Sequence, residues 1–205
     1  PEVLTPPSDH LLAVFETGNE VGDLACKLFP EGKEVPYKSN KIELTQKLLN
    51  EGIKDIFEAA FEFDDILVLV DILHQKKNGS FEIYEVKSST WNQKKTIDEI
   101  YKYIHDVSVQ HYVLNKLGYN VSDCFITLLN TDYVMGPNID YKGLFTSINV
   151  TQEVLDLNTE ISSNIKDLRK TLENVQNEPN IDIGWHCKNP YECDAHEYCW
   201  KTQRN

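Results

Sequence analysis

The stretch that most constrains this chain is Ile66-Leu-Val-Leu-Val-Asp71-Ile-Leu73, followed by Asn78-Gly79 and then Phe81-Glu-Ile-Tyr-Glu85-Val-Lys87. Asn-Gly favours a tight hairpin turn, because both residues accept positive φ. The run before it is almost unbroken in aliphatic residues, as expected of a strand covered on both faces. The run after it alternates, so Phe81, Ile83, Glu85 and Lys87 share one side. Two strands are thereby expected, and both carry acids where a sheet interior should be apolar. A lone Asp71 among buried aliphatics is costly unless it is paired, protonated or bound to a cation. Across the hairpin Asp71 stands opposite Glu85, and Lys87 follows Glu85 at roughly 7 Å along the strand, so the two can flank a phosphate-sized group.

Two carboxylates around a divalent ion, with an amine beside them, are what phosphodiester hydrolysis requires. The ion lowers the pKa of a bound water and offsets phosphate charge, and a lysine can orient or deprotonate that water. Hard oxygen donors favour Mg²⁺ or Mn²⁺ over zinc. The competing reading is a half-exposed hairpin on which Lys87 is merely an ion-pair partner for surface acids.

Flanking patterns place this hairpin in an α/β layer fold. Leu11 to Phe29 has helical apolar spacing and is stopped at Pro30-Glu31-Gly32. Asn40 is expected to cap a short helix to Asn50, with Glu43 at the capping-box position. Ile53 to Phe63 reads as a strand. Ile97, Ile100, Ile104, Val107, Leu114 and Leu117 form one helical stripe ended by Gly118. Val121 to Leu129 is another apolar strand, Phe145 to Val150 a weaker one, and a polar helix runs from Gln152 to Val175. Gln110 lies at the border of the Ile97–Leu117 stripe, three residues from both Val107 and Val113, so it can face inward.

Composition bounds the function. The 205 residues suit one elaborated domain, 40% hydrophobic and 26% charged, enough for a real core. A net charge of −13 argues against a general nucleic-acid coat protein, which would be basic. Of the basic residues only Arg169 and Arg204 are arginine, which counts against a dedicated phosphate clamp. Lysines instead gather after the second strand: Lys94, Lys95 and Lys102, with Lys76 and Lys77 at the hairpin, and Trp91 among them could stack on a base. The bland alternative is a solvated loop. No apolar run or signal peptide suggests a membrane or export, so a cytoplasmic location is expected. The chain opens on a proline, and an N-terminal element is expected to precede it.

Cys187, Cys193 and Cys199 crowd the end of the chain, spaced six apart, while Cys26 and Cys124 stand alone. An odd count and regular spacing fit a metal site in a reducing compartment better than a disulfide scaffold. Cys124, inside an apolar strand, reads as a small buried side chain. Residues 1–178 are therefore expected to form the core, and 179–205 a small Cys-rich lobe packed on it.

Asp71 followed by Glu85-Val86-Lys87, between a leading and a trailing helix, resembles the PD-(D/E)XK nuclease superfamily. Asp106-Val-Ser-Val-Gln110-His-Tyr-Val-Leu-Asn-Lys-Leu-Gly118 resembles the glutamine-bearing helix of its RecB-like branch, and Gly18-Asn-Glu20-Val-Gly22-Asp-Leu-Ala25 that branch's first-helix motif. The order of the motifs, with a Cys-rich tail last, is similar to a bacterial RecB-like group of unknown function and to CRISPR-associated RecB-like exonucleases. Two positions depart: Leu114 stands where the branch has tyrosine, and Val21-Gly22 where it has a first-helix histidine.

The resemblance implies a restriction-endonuclease-like core, a central mixed sheet flanked by helices. It implies that Asp71 and Glu85 ligate Mg²⁺ or Mn²⁺ with help from the Val86 carbonyl, that Lys87 acts on the water, and that Gln110 touches the DNA backbone or the lysine. Glu20 would supply the first-helix acid. The tail would hold a [4Fe–4S] cluster through Cys187, Cys193, Cys199 and a fourth thiolate, either Cys26 or a cysteine upstream of Pro1; zinc with three cysteines and His186 or His196 is the other metal reading. The expected activity is deoxyribonuclease action on DNA ends or single strands, in repair, recombination or defence. The rival is a degenerate nuclease-fold module that binds nucleic acid or protein without cutting; RNA as substrate is a third possibility.

Overall fold

The computed structural model describes residue 4 and residues 6–173, 181–189 and 191–202. The chain divides into two compact units, Thr17–Asn164 and Pro1–Glu16 with Ile165–Asn205. The boundary expected at 178/179 lies outside the described residues, as do residues 174 and 175 of the expected last long helix.

The larger unit is built on a six-stranded sheet of β1 (Lys33–Glu34), β2 (Asp55–Phe63), β3 (Ile66–Gln75), β4 (Phe81–Trp91), β5 (Val121–Asn130) and β6 (Phe145–Asn149), in that spatial order. Strands β2, β3 and β4 are antiparallel, β4 and β5 parallel, and β5 and β6 antiparallel. The parallel pair needs a crossover, supplied by α3 (Tyr101–Lys116). Helices α1 (Asp9–Ala25) and α2 (Lys41–Asn50) precede the antiparallel strands, and α4 (Tyr141–Leu144) and α5 (Thr151–Glu173) flank β6. This is the mixed, helix-flanked sheet of an α/β fold, as expected. The β2–β3 turn is Asp64-Asp65, with φ of 55° and 61°, the doubly left-handed pair that suits a two-residue hairpin.

Each sheet face has its own cover. Val21 and Ala25 of α1 pack with Phe57, Ile72 and Phe145, and Tyr84 and Val86 lean on that cluster. On the opposite side of β4, Phe81, Ile83 and Glu85 are buried. Helix α3 meets this side, with Ile104, Val107 and Leu114 wholly inaccessible to solvent. Each such side chain contributes roughly 1.5–3 kcal/mol through burial. The face that carries Glu85 is therefore roofed by α3.

Several expectations are corrected. Strand β3 is not covered on both faces throughout: Leu67 and Leu69 are 57% and 36% exposed. Strand β4 runs past Lys87 to Trp91, and between Val86 and Thr90 it advances four residues while β5 advances two, from Thr127 to Leu129. A bulge of this kind releases side chains from the ladder, and it begins at Lys87. Asn40 precedes α2 but its side chain does not cap it; its Nδ2 donates to Glu43 Oε2 instead (2.8 Å). The two-residue β1, parallel to β2, is too short to leave a sequence pattern. Among the described residues no helix is long and apolar enough to cross a membrane.

In the smaller unit a short 3₁₀ turn, Trp185–Cys187, is followed by α6 (His196–Thr202). The Cys193 N–H donates to the Cys187 carbonyl (2.9 Å), the His196 N–H to the Cys193 carbonyl (2.8 Å), and the His196 ring stacks on Trp200.

Candidate active site

The β3–β4 register pairs Ile72 with Tyr84 and Leu73 with Ile83, which carries Asp71 opposite Glu85. The β2–β3 register pairs Phe57 with Ile72 and Ala59 with Val70, which carries Glu58 opposite Asp71. Extending those registers by one residue sets Glu58, Asp71 and Glu85 along one rung, and both glutamates act on the Asp71 charge. Glu85 is buried, and Asp71 accepts the Val86 N–H at Oδ2 (2.7 Å). Burial first, and the neighbouring Glu85 carboxylate second, push Asp71 up to about 8, with Glu58 adding to the rise.

Lys87 supplies the nearest positive charge. Its Nζ lies 2.7 Å from Glu85 Oε1 and 2.9 Å from Asp106 Oδ2, and over the Tyr103 ring at 5.3 Å. Burial works against the ammonium, but the Glu85 and Asp106 carboxylates outweigh it and hold Lys87 above its ordinary pKa. Lys87 is consequently a protonated donor. The expected picture of Glu85 and Lys87 flanking a phosphate is modified, since the two touch each other. From α3, Gln110 donates from Nε2 to Glu85 Oε2 (2.6 Å), while its Oε1 is buried without a hydrogen-bond partner. An unpaired buried carbonyl is costly, and this one belongs to a side chain fixed against the acid pair.

The donor set suits a hard divalent ion. Asp71 and Glu85 offer carboxylate oxygens and no imidazole or thiol. Among the described residues no three His, Cys, Asp or Glu side chains form a group able to hold a metal. Two carboxylates with the remaining shell from water and substrate oxygens is how Mg²⁺ is commonly held.

Other expected residues lie elsewhere. Glu20 is exposed on α1. Trp91 ends β4 half-buried, and Lys94 is exposed in the turn after it. Lys95 Nζ donates to the Thr90 carbonyl (2.8 Å), and Lys102 Nζ lies 4.9 Å from the centroid of the Tyr103 ring that Lys87 also faces. These lysines therefore lie on the segment leaving the Lys87 end of β4. Cys124 is wholly buried in β5. Cys26 belongs to the larger unit, where burial, then Asp23, Glu34, Asp71 and Glu58, push its thiol up to about 11. Cys187 and Cys199 are half-buried and Cys193 is exposed. The described tail residues form no metal-holding group.

Two residues of the site were not anticipated. Asp106 precedes Gln110 by four residues, one helical turn, so the two share a face of α3. Glu58 is a lone acid in the apolar strand Ile-Phe-Glu-Ala-Ala-Phe, and an Asp64-Asp65 turn would have placed it opposite Asp71. It pairs with Lys41 Nζ at 3.2 Å and takes a left-handed φ of 57°.

No family model matches the sequence. No curated protein matches it either. Among solved structures, an alkaline exonuclease (LHK-Exo) from Laribacter hongkongensis is similar, with a TM-score of 0.41 and 12% identity over 80% of this chain and 73% of that one.

Proposed function

We propose that this chain is a divalent-metal-dependent deoxyribonuclease of the RecB-like PD-(D/E)XK type, cutting phosphodiester bonds at DNA ends or in single strands. The observation that carries the reading is the contact set around Glu85: Asp71 opposite it by register, Lys87 at 2.7 Å and Gln110 at 2.6 Å. Asp71 and Glu85, with the Val86 carbonyl, are the residues to hold Mg²⁺ or Mn²⁺. The ion, when bound, supplies a water of lowered pKa and offsets phosphate charge.

The chain's own residues supply the rest. Lys87, protonated, donates to the scissile phosphate or the attacking water rather than accepting its proton. Gln110 fixes the Glu85 carboxylate. Lys94, Lys95, Lys102 and Trp91 continue from the Lys87 end of β4 and offer charge and one aromatic surface to the backbone and bases. In the same proposal the tail carries a stabilising metal, a [4Fe–4S] cluster or Zn²⁺, supported by its cysteine spacing and tested by iron and zinc analysis.

The deciding experiment compares linear, circular and single-stranded DNA, with and without Mn²⁺, for the wild type and Lys87→Ala. The proposal expects metal-dependent loss of linear or single-stranded substrate and an inert, folded variant. Equal cutting by Lys87→Ala would rule out these roles. The exposed position of Glu20 favours one alternative, a non-cutting scaffold, which expects no metal-dependent cutting by the wild type at all.

A further inference from the structure

Helix α3 does more than roof the sheet. Tyr103, Asp106 and Gln110 are spaced three and four apart, so they lie on one helix face, and all three touch the β4 segment from Glu85 to Ser89. Gln110 holds Glu85 at 2.6 Å, Asp106 holds Lys87 at 2.9 Å, and the Tyr103 hydroxyl meets Ser89 Oγ at 2.6 Å while its ring lies beneath the Lys87 ammonium. Glu85 is still paired to β5, but Lys87 to Ser89 lie where β4 leaves that ladder, so backbone pairing does not fix those residues. We propose that Asp106 is a positioning residue for Lys87, setting where the ammonium stands when substrate arrives; this rests on the nuclease reading above.

Asp106 is half exposed, and an ion pair with such a partner adds little to stability. What it adds is direction. A lysine is a flexible stem ending in three donors. Glu85 and Asp106 take two, leaving one for a phosphate oxygen or a water. Without Asp106, Lys87 would be held by Glu85 alone, the same carboxylate that a cation needs. With it, the ammonium keeps an anchor on α3 that does not depend on Glu85.

The test uses the whole chain with Mn²⁺ and linear DNA. Asp106→Asn should lower kcat by about tenfold to a hundredfold, the scale of a slightly misplaced catalytic group, with KM for DNA and the melting temperature unchanged. Asp106→Glu should restore most of the loss. Independently of activity, the Lys87 ammonium signal in ¹H–¹⁵N NMR of the metal-free protein should be sharp in the wild type and broadened in Asp106→Asn. Wild-type kcat in Asp106→Asn, or a Lys87 ammonium signal as sharp in that variant as in the wild type, overturns the proposal while leaving the nuclease reading in place. A wild type that cuts nothing overturns both.

Discussion

Replacing Asp71 by asparagine should stabilise the metal-free protein, and increasingly so as pH rises. Burial and Glu85 lift Asp71 from 3.8 to about 8, so folding takes up a proton between those values. Its contribution is fully present below about pH 4 and is lost as pH climbs through about 8. At 1.36 kcal/mol per pH unit the whole rise corresponds to roughly 5–6 kcal/mol. Local relaxation and water entry trim this, and about 2–3 kcal/mol at pH 8 is the working expectation. Asparagine carries no charge, keeps an oxygen for the Val86 N–H, and offers Glu85 a donor where wild type presents a second acid. For a domain this size the gain corresponds to about 5–10 °C in Tm. Thermal melts by circular dichroism in EDTA at pH 5, 6.5 and 8 give the difference between variant and wild type. It should widen with pH, and Mn²⁺ should stabilise wild type alone. A difference that stays flat, or a variant less stable at pH 8, would refute this account of the rung.

Three further outcomes follow from the same geometry. Burial lowers the pKa of His111 despite the pull of Asn158, so wild type should lose stability as pH falls below about 6.5; urea unfolding at pH 7 and 5 should show less acid loss in His111→Gln. Leu114→Ala, at a wholly buried α3 position, should cost about 2–5 kcal/mol by chemical denaturation. DNA affinity should fall steeply with salt, and Lys94→Ala should reduce the slope of log K against log salt by about one, measured by fluorescence anisotropy.

Much of the architecture was legible because patterning and turn chemistry agree. Asn78-Gly79 marked the β3–β4 hairpin, the Ile97–Leu117 stripe marked α3, and alternation put Glu85 and Lys87 on the face that α3 covers. What escaped depends on three-dimensional neighbours. Leu67 and Leu69 read as core because hydrophobicity says nothing about which half of a long strand is covered. The bulge after Val86 arises from a parallel partner more than thirty residues away. Asp106 drew no reading from the sequence, because only the fold brings Lys87 within 2.9 Å of it. Glu58 lay hidden because Asp64-Asp65 is a weaker turn signal than Asn-Gly, and without that turn its register opposite Asp71 could not be set.

Crystals of the wild type soaked in Mn²⁺, with diffraction collected at the manganese edge, test the heart of this account. An anomalous peak within coordinating distance of the Asp71 and Glu85 carboxylates, absent from Asp71→Asn crystals, is the predicted result. Manganese bound elsewhere, or an Asp71–Glu85 gap that stays empty at saturating ion, would contradict it.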